Sequence, residues 1–210
     1  MVRSVGAEPT VRERRPGSDK AASPRPLDIR HYARMPDDVR AGVERLMGHL
    51  ERLDRRQALA LLQPALPRQE VEAALIAAGV TDADPLIDWY TSWGGQTTDG
   101  ILGLMDVLPG FYALSLADAL EHRGQHGEWP GGWLPILADG GGDYYIADTA
   151  SNAAPVLRHR DDDPEPERLS ESLASFLVVA NRAFDEQIIY VSDGFLDQDE
   201  DAWRELLGRA

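Results

Sequence analysis

Apolar positions along this chain fall into three regimes. In the first, Val39, Val43, Leu46, Leu50 and Leu53 recur at steps of 4, 3, 4 and 3, which places all five on one helical face. The spacing predicts an amphipathic helix from near Pro36 to past Leu53, too short for a coiled coil. A second helix is predicted from Arg68 to Ala78, opened by Pro67 and ended by Gly79. A third opens with Asp84 as N-cap and Pro85 in the first turn. It carries Leu86, Trp89, Tyr90 and Trp93 and stops at Gly94-Gly95.

The second regime is extended. Phe111 to Leu114 reads as a short strand, followed by a helix capped by Ser115 with Leu116, Ala119 and Leu120 inward. Gly124 to Gly132 reads as a mobile Gly- and His-rich linker. From Trp133 to His159, apolar runs alternate with a glycine turn and a short loop. This is the pattern of a β-meander: strand, Gly-rich turn, strand, loop, strand.

The third regime returns to helix. Asp161 to Glu167 (D-D-D-P-E-P-E) reads as an acidic, proline-broken loop. Leu169 to Phe184 then reads as a long helix with Leu173, Phe176, Leu177 and Ala180 inward. Gln187 to Val191 is a candidate last strand. Trp203, Leu206 and Leu207 mark a terminal helix capped by Asp199 and ended by Gly208. Helices, then a meander, then helices predict an α+β fold: a mainly antiparallel β-meander sheet packed by N- and C-terminal helices.

Residues 1–30 hold four prolines, many charges and few large apolar groups, and read as a disordered tail. Met35 is a plausible alternative start. Residues 31–210 then form a single domain. The formal net charge is −15. Residues 1–30 carry seven basic and four acidic side chains, a net of +3, so the remainder carries −18. A body this acidic repels nucleic acid and anionic membrane and favours a basic partner. Neither a membrane-length apolar run nor a secretory signal is present, so a cytoplasmic protein is the expectation.

Candidate chemistry is thin. Cysteine is absent, which excludes disulfides and thiolate sites. Gly140-Gly141-Gly142 leads into Asp143 and another strand, with no Lys or helix start, so a tight hairpin explains it better than a phosphate cradle. Asp139, Asp143 and Asp148 lack EF-hand spacing and suit turn capping. His122 and His126 have metal spacing only on a continuous helix, and Gly124 interrupts it; no Glu completes a zinc motif. No G-x-S-x-G elbow surrounds Ser151, Ser170 or Ser192. No catalytic constellation and no cofactor site emerges.

Several segments resemble the SUKH superfamily, the Smi/Knr-type domain named for a cell-wall assembly regulator. Asp84-Pro85-Leu86-Ile87-Asp88-Trp89-Tyr90 with Trp93-Gly94-Gly95 is similar to the family's early helix. Trp133-Leu134-Pro135-Ile136, then Asp139-Gly140 and Gly142-Asp143-Tyr144, are similar to its central strand pair. Asp148, Pro155-Val156, His159 and Ser175-Phe176 match the remainder, covering roughly residues 40 to 185. Asp84-Pro85 stands where Leu-Pro is usual and Trp93-Gly94 where Asn-Gly is usual, and the chain beyond Phe184 is not covered.

The resemblance implies a SUKH-like domain with an extra C-terminal helix, a protein-binding role without catalysis, and, for bacterial members, immunity against polymorphic toxins. A nuclease toxin holds phosphate in a basic cleft, which an acidic inhibitor would reach by electrostatic steering. Two stretches are the expected interface: Asp161, Asp162, Asp163, Glu165 and Glu167, then Asp193, Asp197, Asp199, Glu200 and Asp201. The chain would then present a negatively charged, glycine-hinged antiparallel surface. Two other readings stand beside it. One is a regulatory scaffold that recruits partners through the tail and the Val39–Leu53 helix; the other is a hydrolase using carboxylates near Asp139 and Asp143.

Overall fold

The computed structural model describes residues 38–80 and 83–208. The tail expected over residues 1–30 lies outside them, as does Met35. Helix α1 spans Val39–Arg52, with the Asp38 carboxylate capping it by accepting from the Arg40 backbone N–H at 2.9 Å. Val39, Val43, Leu46 and Leu50 are all buried, so the 4-3-4 spacing is spent on the core. Short α2 (Arg56–Ala60), α3 (Arg68–Ala77) and α4 (Asp84–Ser92) follow. Ala83, not Asp84, is the N-cap of α4. Asp84 sits in the first turn, where its carboxylate accepts from Arg68 at 3.0 Å.

The five-stranded antiparallel sheet has order β1-β2-β3-β4-β5: Tyr112–Ala113, Trp133–Ala138, Tyr144–Asp148, Val156–Arg160 and Asp163–Ser170. Tyr144 pairs with Ala138 and with His159, so three neighbouring strands run through Trp133–His159. Helix α5 (Leu116–Gln125) leaves β1, with Ser115 Oγ accepting from the Asp118 N–H. It covers the Tyr144 face, where His122 Nδ1 lies 2.9 Å from the Tyr144 hydroxyl. Helix α6 (Leu173–Asp185) covers the opposite face, where Phe176 meets Tyr145 edge-on at 5.5 Å. Two covered faces explain why β2 and β3 are almost continuously apolar rather than alternating.

Helices α1 and α6 cross closely. A Cβ on Gly42 would lie 2.8 Å from Leu177 Cβ, and buried Asn181 donates to the Gly42 and Leu177 carbonyls at 2.9 and 2.7 Å. After α6 come a separate two-stranded hairpin, β6 (Ile189–Ser192) and β7 (Phe195–Gln198), and helix α7 (Glu200–Leu207), which buries Trp203 and Leu206. The architecture is α+β.

Four expectations are corrected. The acidic loop 161–167 is mostly strand: only a turn separates β4 from β5, which begins at Asp163. Its prolines are tolerated because β5 is an edge strand with one row of donors unpaired. The helix read from Leu169 starts at Leu173, since Leu169 and Ser170 end β5 and Ser172 caps α6 through a reciprocal pair with Ser175. The last strand is half of a hairpin. Helix α5 also runs through Gly124, and the segment after it is packed: His126 stacks on Trp129 at 4.1 Å, and Arg123 donates to the Ala78 and Gly131 carbonyls.

A candidate partner-binding surface

The glycine turn is built by one carboxylate. Asp139 Oδ1 accepts from the backbone N–H groups of Gly141, Gly142 and Asp143 at 2.6, 3.0 and 3.0 Å. Gly142 sits at φ +115, where a Cβ would also lie 3.0 Å from Asp161 Cβ. Asp143 ties this turn to the next: Oδ1 accepts from the Asp161 N–H at 3.2 Å, and Oδ2 lies 3.5 Å from Arg158 Nη2. The β2–β3 and β4–β5 turns therefore form one rigid end of the sheet.

Beside that end lies a cleft of about 340 Å³ between the sheet and the C-terminal hairpin. Asp139, Asp143 and Arg158 line it from the sheet, with Phe111 and Tyr145 as its floor. Leu196, Asp197, Gln198 and Glu200 line it from β7 and the start of α7. Arg158 lies 5.7 Å from the Phe111 ring centre, facing four carboxylates with one guanidinium. Burial pushes the Tyr145 phenol up to about 12; Arg158 opposes this, while Glu200 and Glu167 add to it. One phenol thus feels an acid from β5 and an acid from α7, although they lie 33 positions apart in the chain.

The ten acids named from the sequence divide. Glu167 and Glu200 flank Tyr145, and Asp197 lines the cleft. Asp161 and Asp162 occupy the β4–β5 turn, and Asp163 Oδ1 accepts from the exposed Glu165 N–H. Asp193 sits in the β6–β7 turn. Asp199 caps α7 by accepting from Ala202 N–H at 3.0 Å, and Asp201 pairs with Arg204. Each stretch holds one paired acid: Arg160 holds Glu167 at 3.0 Å, and Arg204 holds Asp201 at 3.1 Å. Among the described residues no salt bridge neutralises the other eight acids, so negative charge stays unpaired in both stretches. Neither face of the central strands β2 and β3 is open, so they present no acidic sheet face, and the acids beside them gather at the turn end and its cleft.

The remaining motif residues serve the frame. Trp89 and Tyr90 are fully buried on α4, and Trp93 meets Trp89 edge-on at 4.8 Å. Gly94 passes against the Pro64 carbonyl. Pro135 pairs with Ile146 beside a bulge in β2, and Trp133 pairs with Asp148. Asp148 Oδ1 accepts from Ala150 N–H at 3.0 Å. Val156 and Phe176 are buried, and Gly140 turns at φ +80. Among the described residues no group of three or more His, Asp or Glu side chains is arranged to hold a metal ion. No helix among them is long and apolar enough to cross a membrane.

Three groups escaped the sequence reading. Arg55, almost fully buried at the start of α2, donates to the carbonyls of Gly194, Gly103 and Leu104. Asp106, also buried, accepts from Gly103 and Gly110 N–H at 3.1 and 3.0 Å; burial raises its carboxyl above the usual range, against those donors and Arg55. Buried His49 stacks on Phe184 at 4.9 Å, with Nδ1 2.6 Å from Arg52. A lone Arg at a helix start and an Asp between short apolar runs carry no periodic signal. The one available cue was Gly100-Ile101-Leu102-Gly103, two large aliphatics framed by glycines outside any helix or strand pattern.

The geometry defines an α+β domain whose polar side chains make turns, caps and a charged cleft. The family model of the SMI1/KNR4 family (SUKH-1) matches residues 69–178, more than half of the chain, and the chain belongs to that family. No curated protein matches it. The match runs from α3 into α6, so the cleft has one wall from the matched region and one from the hairpin and helix beyond it.

Proposed function

We propose that this chain is an immunity protein: it binds and neutralises a polymorphic toxin of basic surface, a nuclease being the fitting class, and catalyses nothing itself. The family is generally non-catalytic, which supports the coarser part. The observation that carries the finer part is the convergence of acids from β2–β3, β7 and α7 on one cleft. A basic partner gains attraction there at the cost of only one resident cation. Cytoplasmic residence accords with this role.

The test asks first whether a toxin domain is encoded beside this chain's gene, and then titrates that domain. Asp197→Arg with Glu200→Arg should weaken binding at least about tenfold at low salt and flatten its salt dependence. Unchanged binding and toxin neutralisation would overturn the proposal. The scaffold reading assigns recruitment to the tail and the Val39–Leu53 helix; the apolar face of that helix is covered by α4 and α6, which leaves only its polar side for a partner.

A further inference from the structure

Ile101, Leu102 and Phe195 are large apolar residues left 62, 55 and 45% exposed. They come from two distant segments, yet they adjoin. Phe195 lies against Gly103, where a Cβ would fall 2.9 Å from its ring; Leu102 lies against Gly140, where a Cβ would fall 3.1 Å from both methyls. This patch is therefore continuous with the glycine turn and the hairpin that form the acidic cleft. It is also held rigid. Arg55 bonds the hairpin turn at Gly194 to the loop at Gly103 and Leu104. Asp106 fixes that loop from within through Gly103 and Gly110, and buried Gln96 donates to Met105 O at 2.8 Å while accepting from Ala113 N–H. Asp193 and Gly194 have φ +51 and +86, the left-handed pair of a tight hairpin turn that presents Phe195.

A stiff apolar cluster rimmed by charge is what an interface hot spot looks like before its partner arrives. The buried Arg55 and Asp106 hold that patch in place, so little ordering entropy remains to be lost on docking. Asp99, Asp193 and Asp197 lie within two chain positions of its residues, Asp139 precedes the Gly140 that Leu102 packs on, and the whole chain carries −15. A second copy would bring the same negative rim, so the charge selects against self-pairing and for a basic surface.

Building on the proposed acidic interface, we infer that Ile101, Leu102 and Phe195 are its anchor: they take an apolar or aromatic knob flanked by arginine or lysine on a basic protein. The acidic rim sets the rate and sign of the encounter, and the patch holds the complex.

Full-length protein is titrated, by amide chemical shifts, with short synthetic peptides of arginine–tryptophan, arginine–serine and glutamate–tryptophan. The arginine–tryptophan peptide should bind tightest, shift Ile101–Gly103, Gly140 and Phe195, and lose at least about tenfold affinity to Ile101→Ser/Leu102→Ser/Phe195→Ser. Melting and circular dichroism check the fold, and Leu102→Gln alone serves if the triple variant does not fold. Equal binding of the two arginine peptides, unmoved by the variants, overturns the anchor and leaves the acidic interface standing. No binding of either arginine peptide overturns both. Equal binding of the glutamate–tryptophan peptide overturns the basic partner. Concentration-dependent dimers abolished by Leu102→Gln assign the patch to a second copy and overturn the inference.

Discussion

At the residue scale, the most consequential buried titratable group is His49. Burial lowers its pKa from 6.5 to about 4, with Arg52 and Arg45 adding to the effect and Asp185 opposing it. The unfolded chain therefore binds a proton that the folded chain refuses between those values. Stability from this group is whole above pH 6.5 and is lost as pH falls toward 4. The loss from pH 7 to 5 should be about 2 kcal/mol in urea unfolding. His49→Gln should lack that component of the pH dependence, and identical slopes for both proteins would refute the assignment. Gly142→Ala forces a side chain into φ +115 against Asp161 and should cost about 1–2 kcal/mol, read as a lower melting temperature.

At the scale of elements, α1 and α7 carry the predictions. Val43, Leu46 and Leu50 are fully buried between α1 and its neighbours. Each is worth about 1.5–3 kcal/mol of burial, so deleting residues 1–55 should abolish cooperative unfolding rather than a recruitment step. Trp203→Ala should cost about 3–5 kcal/mol and perturb near-ultraviolet dichroism, because Trp203 fastens α7 to the body. Helices were legible where periodic apolar residues met a cap, as at Ser115 and Asp199. The meander was legible because Asp139 and three glycines leave no alternative to a turn. Strand β5 was not: acidic and proline-rich, it contradicts strand propensity, and only its edge position makes it possible. The acids of the cleft were partly legible as charge. Their convergence was not, since it depends on how the hairpin folds back over Tyr145. Nor was the apolar patch, whose two halves are more than 90 positions apart.

For the whole molecule, the net charge of −18 carried by residues 31–210 costs stability through self-repulsion. Raising sodium chloride from low to physiological ionic strength should therefore increase the melting temperature by a few degrees, followed by calorimetry. A flat response would mean that the acids are spread widely enough to ignore one another.

The two walls of the acidic cleft have different pedigrees. One is cut from the shared scaffold of the family; the other is contributed by residues 186–208, which the family model does not reach. Exchanging that one appendage would therefore replace a whole wall of the cleft, while the five-stranded platform and its glycine turn stay untouched.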